Sequence, residues 1–257
     1  MKFSKKAMVL ILTTAILIML VIMPMLFWKM GVKKSQFEKS LGKIQIDLLQ
    51  TYQKAQKDLF YIDQSAKYAA HESVFALADN GGFTVLGSKC GKYQDYNLWN
   101  NKVETCYPDY KNNLKAFFGN NLKSFLTAHP SQKLDNTYSF QLIKDEIIAI
   151  PKSRINYEFE NGNYSIKPSF SVNIDYNIEE YTELIIQSKE LIKKCSGKED
   201  LNSCINQHKP QFWITGSDKP ESRYFYFTVN SNITIPVYLE ESIDYKPITY
   251  RFALYFP

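Results

Sequence analysis

The apolar positions of this chain change period as it runs, and each change marks an element. Residues 7–28 carry no charged side chain. About twenty apolar residues at a rise of 1.5 Å match a hydrocarbon core of roughly 30 Å, so this run predicts a membrane-spanning helix. Thr13 and Thr14 can return their hydroxyls to carbonyls of the preceding turn, and Pro24 lies near one end, so neither opposes a span. The run exceeds the roughly 7 to 15 apolar residues of a secretory signal core, and no small-x-small site follows it. An uncleaved anchor with its flanks is therefore expected over residues 1–34.

One amphipathic pattern then fills residues 36–79. Leu41, Leu48, Ala55, Ile62, Ala69 and Ala76 recur every seven residues, with Tyr52, Leu59 and Ala66 at the alternate spacing. Asn80-Gly81-Gly82 tolerates left-handed backbone and supplies a stop. Residues 35–80 are expected to form one long helix of roughly 65 Å, too long to hide in a single core. Its C-terminal half is expected to pack on the following domain, with the rest as a stalk. Self-association through Ala55, Ala66, Ala69, Ala70 and Ala76 is the competing use of the same face.

Residues 81–257 read as the folded domain. Asp109 caps a helix whose apolar face is Leu114, Phe117, Phe118, Leu122, Phe125 and Leu126, ending at His129-Pro130. From Asn136 the period shortens to two, Asn161-Gly162 marks a hairpin, and Pro168 marks an edge or bulge. Helices over 178–195 and 201–207 interrupt the strands, which resume over 212–214, 224–229, 233–238 and 248–256. The order predicts an α+β fold: an N-terminal transmembrane helix, a long amphipathic helix, then a mostly antiparallel β-sheet domain with helical insertions.

Charge changes this picture only at the N-terminus. The formal net charge of +5 raises nucleic acid as a partner until it is located. Lys2, Lys5, Lys6, Lys29, Lys33 and Lys34 all flank the apolar run, and without them 25 basic residues face 26 acidic ones, a net charge of −1. The excess suits lipid headgroups, so a lipid bilayer is the expected partner and nucleic acid is not. Lysines on both sides leave orientation to the rest of the chain.

Cysteine usage supplies that evidence. Cys90 with Cys106 and Cys195 with Cys204 form two sequence-local candidate disulfides in polar segments, which favours an oxidising compartment. Asn163-Tyr164-Ser165 and Asn232-Ile233-Thr234 are candidate glycosylation acceptors at Asn163 and Asn232. Together they predict a single-pass protein of the cell membrane, N-terminus cytoplasmic and bulk extracytoplasmic. The Cys90 to Cys106 segment encloses Tyr93, Tyr96 and Trp99 among Gln94, Asp95, Asn97 and Asn100, too polar and aromatic for a buried element. Flat rings beside planar amides grip sugars or peptide backbones, so these three aromatics form a candidate ligand-binding loop for a glycan or peptide; the reading preferred over it is that the rings fold back to cover the sheet or the disulfide.

Catalytic signatures are missing. Three histidines, His71, His129 and His208, with no Cys-x-x-Cys or His-Glu-x-x-His spacing, give no zinc site. No nucleophile elbow, phosphate-binding loop or dinucleotide fingerprint occurs, so no cofactor is expected. Asp145-Glu146 on a strand would point to opposite faces, and Glu179-Glu180 most simply charges a helix N-terminus.

At Tyr61-Ile-Asp-Gln-Ser-Ala-Lys-Tyr68, Gly81-Gly82, the paired cysteines with Trp99 between them, and Tyr250-Arg-Phe-Ala-Leu-Tyr-Phe256, the chain resembles a group of membrane-anchored archaeal proteins of unknown activity. Lys5-Lys6-Ala7 before a long apolar helix, an amphipathic spine and a β-rich head is similar in outline to type IV pilin-like proteins. The acidic residue early in the apolar segment of bacterial pilins is absent. Neither resemblance implies catalytic residues. The expected function is a non-enzymatic, membrane-anchored surface or envelope interaction protein, with an envelope hydrolase or a pilin-like filament subunit as alternatives.

Overall fold

The computed structural model describes residues 5–129, 134, 138–159, 162–219, 221–239 and 242–257. These hold helices α1 (Lys5–Asp79), α2 (Tyr110–Thr127), α3 (Glu180–Cys195) and α4 (Leu201–His208). The strands are β1 (Lys92–Tyr93), β2 (Tyr96–Leu98), β3 (Tyr138–Ile143), β4 (Glu146–Pro151), β5 (Ile155–Phe159), β6 (Gly162–Ile166), β7 (Phe170–Asn173), β8 (Trp213–Gly216), β9 (Tyr224–Leu239) and β10 (Ser242–Tyr255). Two compact units divide the chain: Met1–Gln56 with Asn156–Tyr164, and Lys57–Ile155 with Ser165–Pro257.

The expected transmembrane helix is corrected. Among the described residues no helix is long and apolar enough to cross a membrane. Residues 7–28 are not a separate element: they begin α1, which passes Pro24 and continues through the lysines into the amphipathic stretch. Ile16, Ile18, Met19, Leu20, Phe27 and Trp28 of that run are exposed, as are Ile46, Leu49 and Tyr52 further along the same unit. The Tyr52 ring meets Tyr164 of β6 edge-on at 6.1 Å. The turn residue Asn161 lies outside the described residues, while β5 and β6 pair on either side of it.

The second unit is built on a five-stranded sheet of order β1-β2-β10-β9-β8. β10 pairs antiparallel with β9 and parallel with β2. The sequence pattern divides residues 224–238 at Asn230–Asn232 and starts the last strand at Ile248. The structure instead carries both strands through as one long hairpin, absorbing the interruption as a register shift between Pro247 and Thr249. Alternation sends Phe225, Phe227 and Val229 of β9, and Tyr250, Phe252 and Leu254 of β10, to the buried face. A smaller sheet of order β3-β4-β7 packs with α2, where Phe118 meets Phe140 edge-to-face at 5.0 Å. Asp109 caps α2 by accepting from the Asn112 amide, and Leu114, Phe118, Leu122 and Leu126 form its buried stripe.

The C-terminal part of α1 belongs to this core. Ile62, Ala66, Ala69, Ala70, Val74, Leu77 and Ala78 are buried, so the small-residue face here is spent on packing within the unit. Gly82 donates its amide to Leu77 O and Gly81 to Ala78 O, closing the helix with Gly81 at φ 62° and Gly82 at φ 87°. Trp99, fully buried, stacks on Phe252 at 3.9 Å between centroids and donates its indole N–H to Gly81 O at 2.9 Å. Trp213 meets Phe252 edge-on at 5.3 Å.

Gly81 carries two constraints at once. A Cβ there would meet Arg251 O at 2.5 Å, and the backbone is left-handed. Gly81→Ala is expected to destabilise the unit by about 2 kcal/mol or more, the scale of non-glycine αL strain. A denaturant midpoint equal to that of the parent chain would refute the cap geometry.

Candidate functional site

Both expected disulfides form. Cys90 and Cys106 are joined with Cα atoms 5.8 Å apart, and Cys195 and Cys204 with Cα atoms 5.7 Å apart. Such bonds suit an oxidising, extracytoplasmic compartment. Two clusters with metal-ligand chemistry, Cys195-Cys204-His208 and Cys90-Glu104-Cys106, owe their closeness to these bonds, and their sulfurs are already committed. His208 Nδ1 instead sits 2.9 Å from Cys204 O.

The first disulfide closes a segment that supplies β1 and β2, one edge of the five-stranded sheet, contradicting the expectation that it is too polar to be buried. Asn97, Leu98, Trp99 and Asn100 are all buried. The polar ones replace backbone partners: Asn97 Oδ1 accepts from Gly87 N at 2.7 Å and Ser88 N at 3.0 Å, while its Nδ2 donates to Asn80 O and Val85 O. Asn100 makes a two-way bond with Tyr255, donating to its carbonyl at 2.7 Å and accepting its amide at 2.9 Å. A side-chain amide so satisfied can be buried at little cost.

Of the three candidate ligand-binding aromatics, Trp99 is enclosed with 0 % exposure and has no face to offer. Tyr93 and Tyr96 remain half-buried on the sheet's outer side. Tyr93 stacks on Tyr224 at 5.5 Å and Tyr96 on Tyr226 at 4.9 Å, with the Arg251 guanidinium 4.7 Å from the Tyr96 ring centre. Tyr226 crosses Gly216, where a Cβ would lie 2.2 Å from the hydroxyl. The Asp218 amide donates to the Tyr93 hydroxyl at 2.8 Å, and Tyr93, Asp218, Lys219, Glu221 and Ser222 line an open hollow of about 550 Å³. Asn163 and Asn232 are exposed on β6 and β9.

A second constellation was not legible in the sequence. Tyr250 donates its hydroxyl to Glu180 Oε2 at 2.6 Å, and Tyr176 contacts the same hydroxyl oxygen. Because Tyr250 has one proton and spends it on Glu180, Tyr176 must be the donor in that second bond. Burial, first, and then the neighbouring tyrosine and carboxylate hold the Tyr250 phenol far above its ordinary range; burial does the same for Tyr176 and Tyr181. All three are therefore neutral at physiological pH. Glu180 also lines a cleft of about 310 Å³ with Glu183, Gln187, Phe212, Asn232 and Tyr250. The neighbouring Glu179 serves elsewhere: it pairs with Lys111 at 2.5 Å, which lowers its carboxyl pKa, and accepts from Tyr110 at 3.0 Å.

The histidines are packing elements. His129 Nε2 lies 3.7 Å from Asp58 Oδ1, and its ring meets Tyr61 at 4.4 Å. His71 is 2 % exposed, with Nε2 3.6 Å from Asp175 Oδ2, too far for a hydrogen bond. Burial outweighs Asp175 and lowers the His71 pKa. Asp145 lies in the turn before β4 and Glu146 is exposed on that strand.

Comparison with protein families, curated proteins and solved structures finds no match. The archaeal and pilin-like resemblances therefore stand as sequence expectations only.

Two stability measurements follow from this geometry. Replacing Cys90 and Cys106 together by Ala releases a loop whose closure is worth about 3 kcal/mol in the chain-entropy model, and urea unfolding is expected to report a loss of that order. His71 gives a pH signature: with its folded pKa below the unfolded value of about 6.5, protonation favours the unfolded chain. Stability is expected to be full above pH ~6.5 and to fall as pH drops from there through the lowered pKa. His71→Leu is expected to flatten that segment; parallel unfolding profiles for the two proteins between pH 7 and 5 would show that His71 does not contribute.

Proposed function

We propose that this protein is an extracytoplasmic interaction protein that binds envelope glycans through the tyrosine face of its five-stranded sheet. The observation that carries the reading is the pair of ring stacks, Tyr93 on Tyr224 and Tyr96 on Tyr226, held in place by the Cys90–Cys106 bond. Rings fixed before binding lose little conformational freedom when a ligand arrives. Stacked phenols suit the apolar faces of sugar rings, and Asp218, Lys219, Glu221 and Ser222 beside Tyr93 supply partners for hydroxyls. A binding role fits this chain better than hydrolysis. Glycosidase carboxylates flank the scissile bond from opposite sides, whereas Glu180 and Glu183 of the cleft share the first turn of one helix.

The test is a glycan array probed with the full chain and with Tyr93→Ala and Tyr96→Ala. Selective glycan binding by the parent, weakened about tenfold or more in each variant while the thermal transition is kept, is the expected outcome; that loss corresponds to about 1.4 kcal/mol. No selective binding by the parent, or binding indifferent to both substitutions, would overturn the reading.

A further inference from the structure

We infer that the cleft lined by α3 and the β9–β10 hairpin binds an alkyl chain ending in a primary ammonium group. This site is separate from the tyrosine face and does not rest on it. Its chemistry follows from counting donors and acceptors. Glu180 Oε2 already accepts the Tyr250 proton, leaving Oε1 as an acceptor. Glu183 Oε1 accepts from Gln187 Nε2 at 2.8 Å, leaving Oε2. Gln187 Oε1 is buried with no hydrogen-bond partner. The helix wall thus offers three acceptors, two of them charged, and both the Tyr250 hydroxyl and one Gln187 amide proton are committed within it.

Among the described residues no lysine or arginine lines the cleft, so no basic side chain there faces the two carboxylates. Gln187 Oε1 is the buried acceptor, costly to leave unpaired, Glu180 is half-buried and Glu183 exposed, and a group carrying three N–H donors and a positive charge meets all three where a hydroxyl or an anion does not. The rest of the lining selects what the ammonium is attached to. Leu184, Val229 and Ile233 provide an apolar floor for methylenes. Phe212, 58 % exposed, presents an aromatic ring among the lining residues, where a cation is attracted to its face. At about 310 Å³ the cleft accommodates a chain of four or five carbons. A lysine side chain of a peptide and a free alkyl diamine share this chemistry.

Calorimetric titration of the full chain, produced without glycosylation so that Asn232 stays bare, tests the site with three probes. These are 1,5-diaminopentane, Nα-acetyl-lysine methylamide and, as the uncharged control, 1-pentanol. Saturable binding of at least one amine is expected, with pentanol at least tenfold weaker and the amine affinity falling as salt rises. Tighter binding of the lysine amide assigns a peptide source, and tighter binding of the diamine a free-amine source. Glu183→Gln, at an exposed position, is expected to weaken amine binding about tenfold without moving the thermal transition. Glu180→Gln is expected to weaken it further but also touches the Tyr250 bond, so Glu183→Gln is the deciding variant. Amine binding unchanged in Glu183→Gln, pentanol equal to the amines, saturable Ca²⁺ binding in place of the amines, or no saturable amine binding would each overturn the inference.

Discussion

The indole of Trp99 is the contact on which the rest of the domain depends. Its N–H meets the carbonyl of Gly81, its ring lies flat on Phe252, and its own backbone pairs with Ala253 and Cys106. One residue therefore ties the end of the long helix to the strand at the centre of the sheet and to the disulfide-closed segment that forms the sheet's edge. Arg251, next to Phe252, repeats the connection electrostatically through Asp79 at 2.9 Å. A shift of β10 therefore reaches the helix end through these contacts, where Gly81 and Gly82 supply the left-handed backbone.

The parts of this fold legible in the sequence are those governed by local periodicity. The α2 stripe with its Asp109 cap, the alternation of β3 to β7 and the glycine stop after Asp79 all follow from neighbouring residues. What the sequence hides is burial achieved through polar groups. The Cys90 to Cys106 segment reads as a solvated loop because of its asparagines, yet Asn97 and Asn100 are buried because their amides bond backbone groups of distant segments. Composition carries no record of such pairings. The long β9–β10 hairpin is obscured for a related reason: Ser231 and Asn232 break the apolar alternation, and the ladder skips them through the register shift opposite Pro247 and Thr249. The apolar N-terminal run had the opposite problem. It looked like a self-contained span, but helix propensity continues across its lysine boundary and α1 takes it in.

The candidate sites show the same division. The tyrosines beside the first disulfide were visible as an aromatic loop, although Trp99 among them turned inward. The cleft residues were not visible as a group, since Glu180 and Tyr250 are 70 positions apart and each has an ordinary role in its own element. Glu179 and Glu180 look equivalent in sequence. The helix separates them, sending one to Lys111 and the other to a buried phenol.

The hydroxyl chain from Tyr176 through Tyr250 to Glu180 has one polarity, since each oxygen donates its single proton toward the carboxylate. The acceptor at its end and Tyr250 line the cleft, and both phenols are buried. Any cation drawing charge from Glu180 weakens its hold on the Tyr250 proton and relaxes the polarisation passed back to Tyr176. The near-ultraviolet absorption of a phenol tracks the strength of the hydrogen bond it donates. A cation held at Glu180 would therefore be felt as an optical change in two tyrosines that solvent hardly reaches.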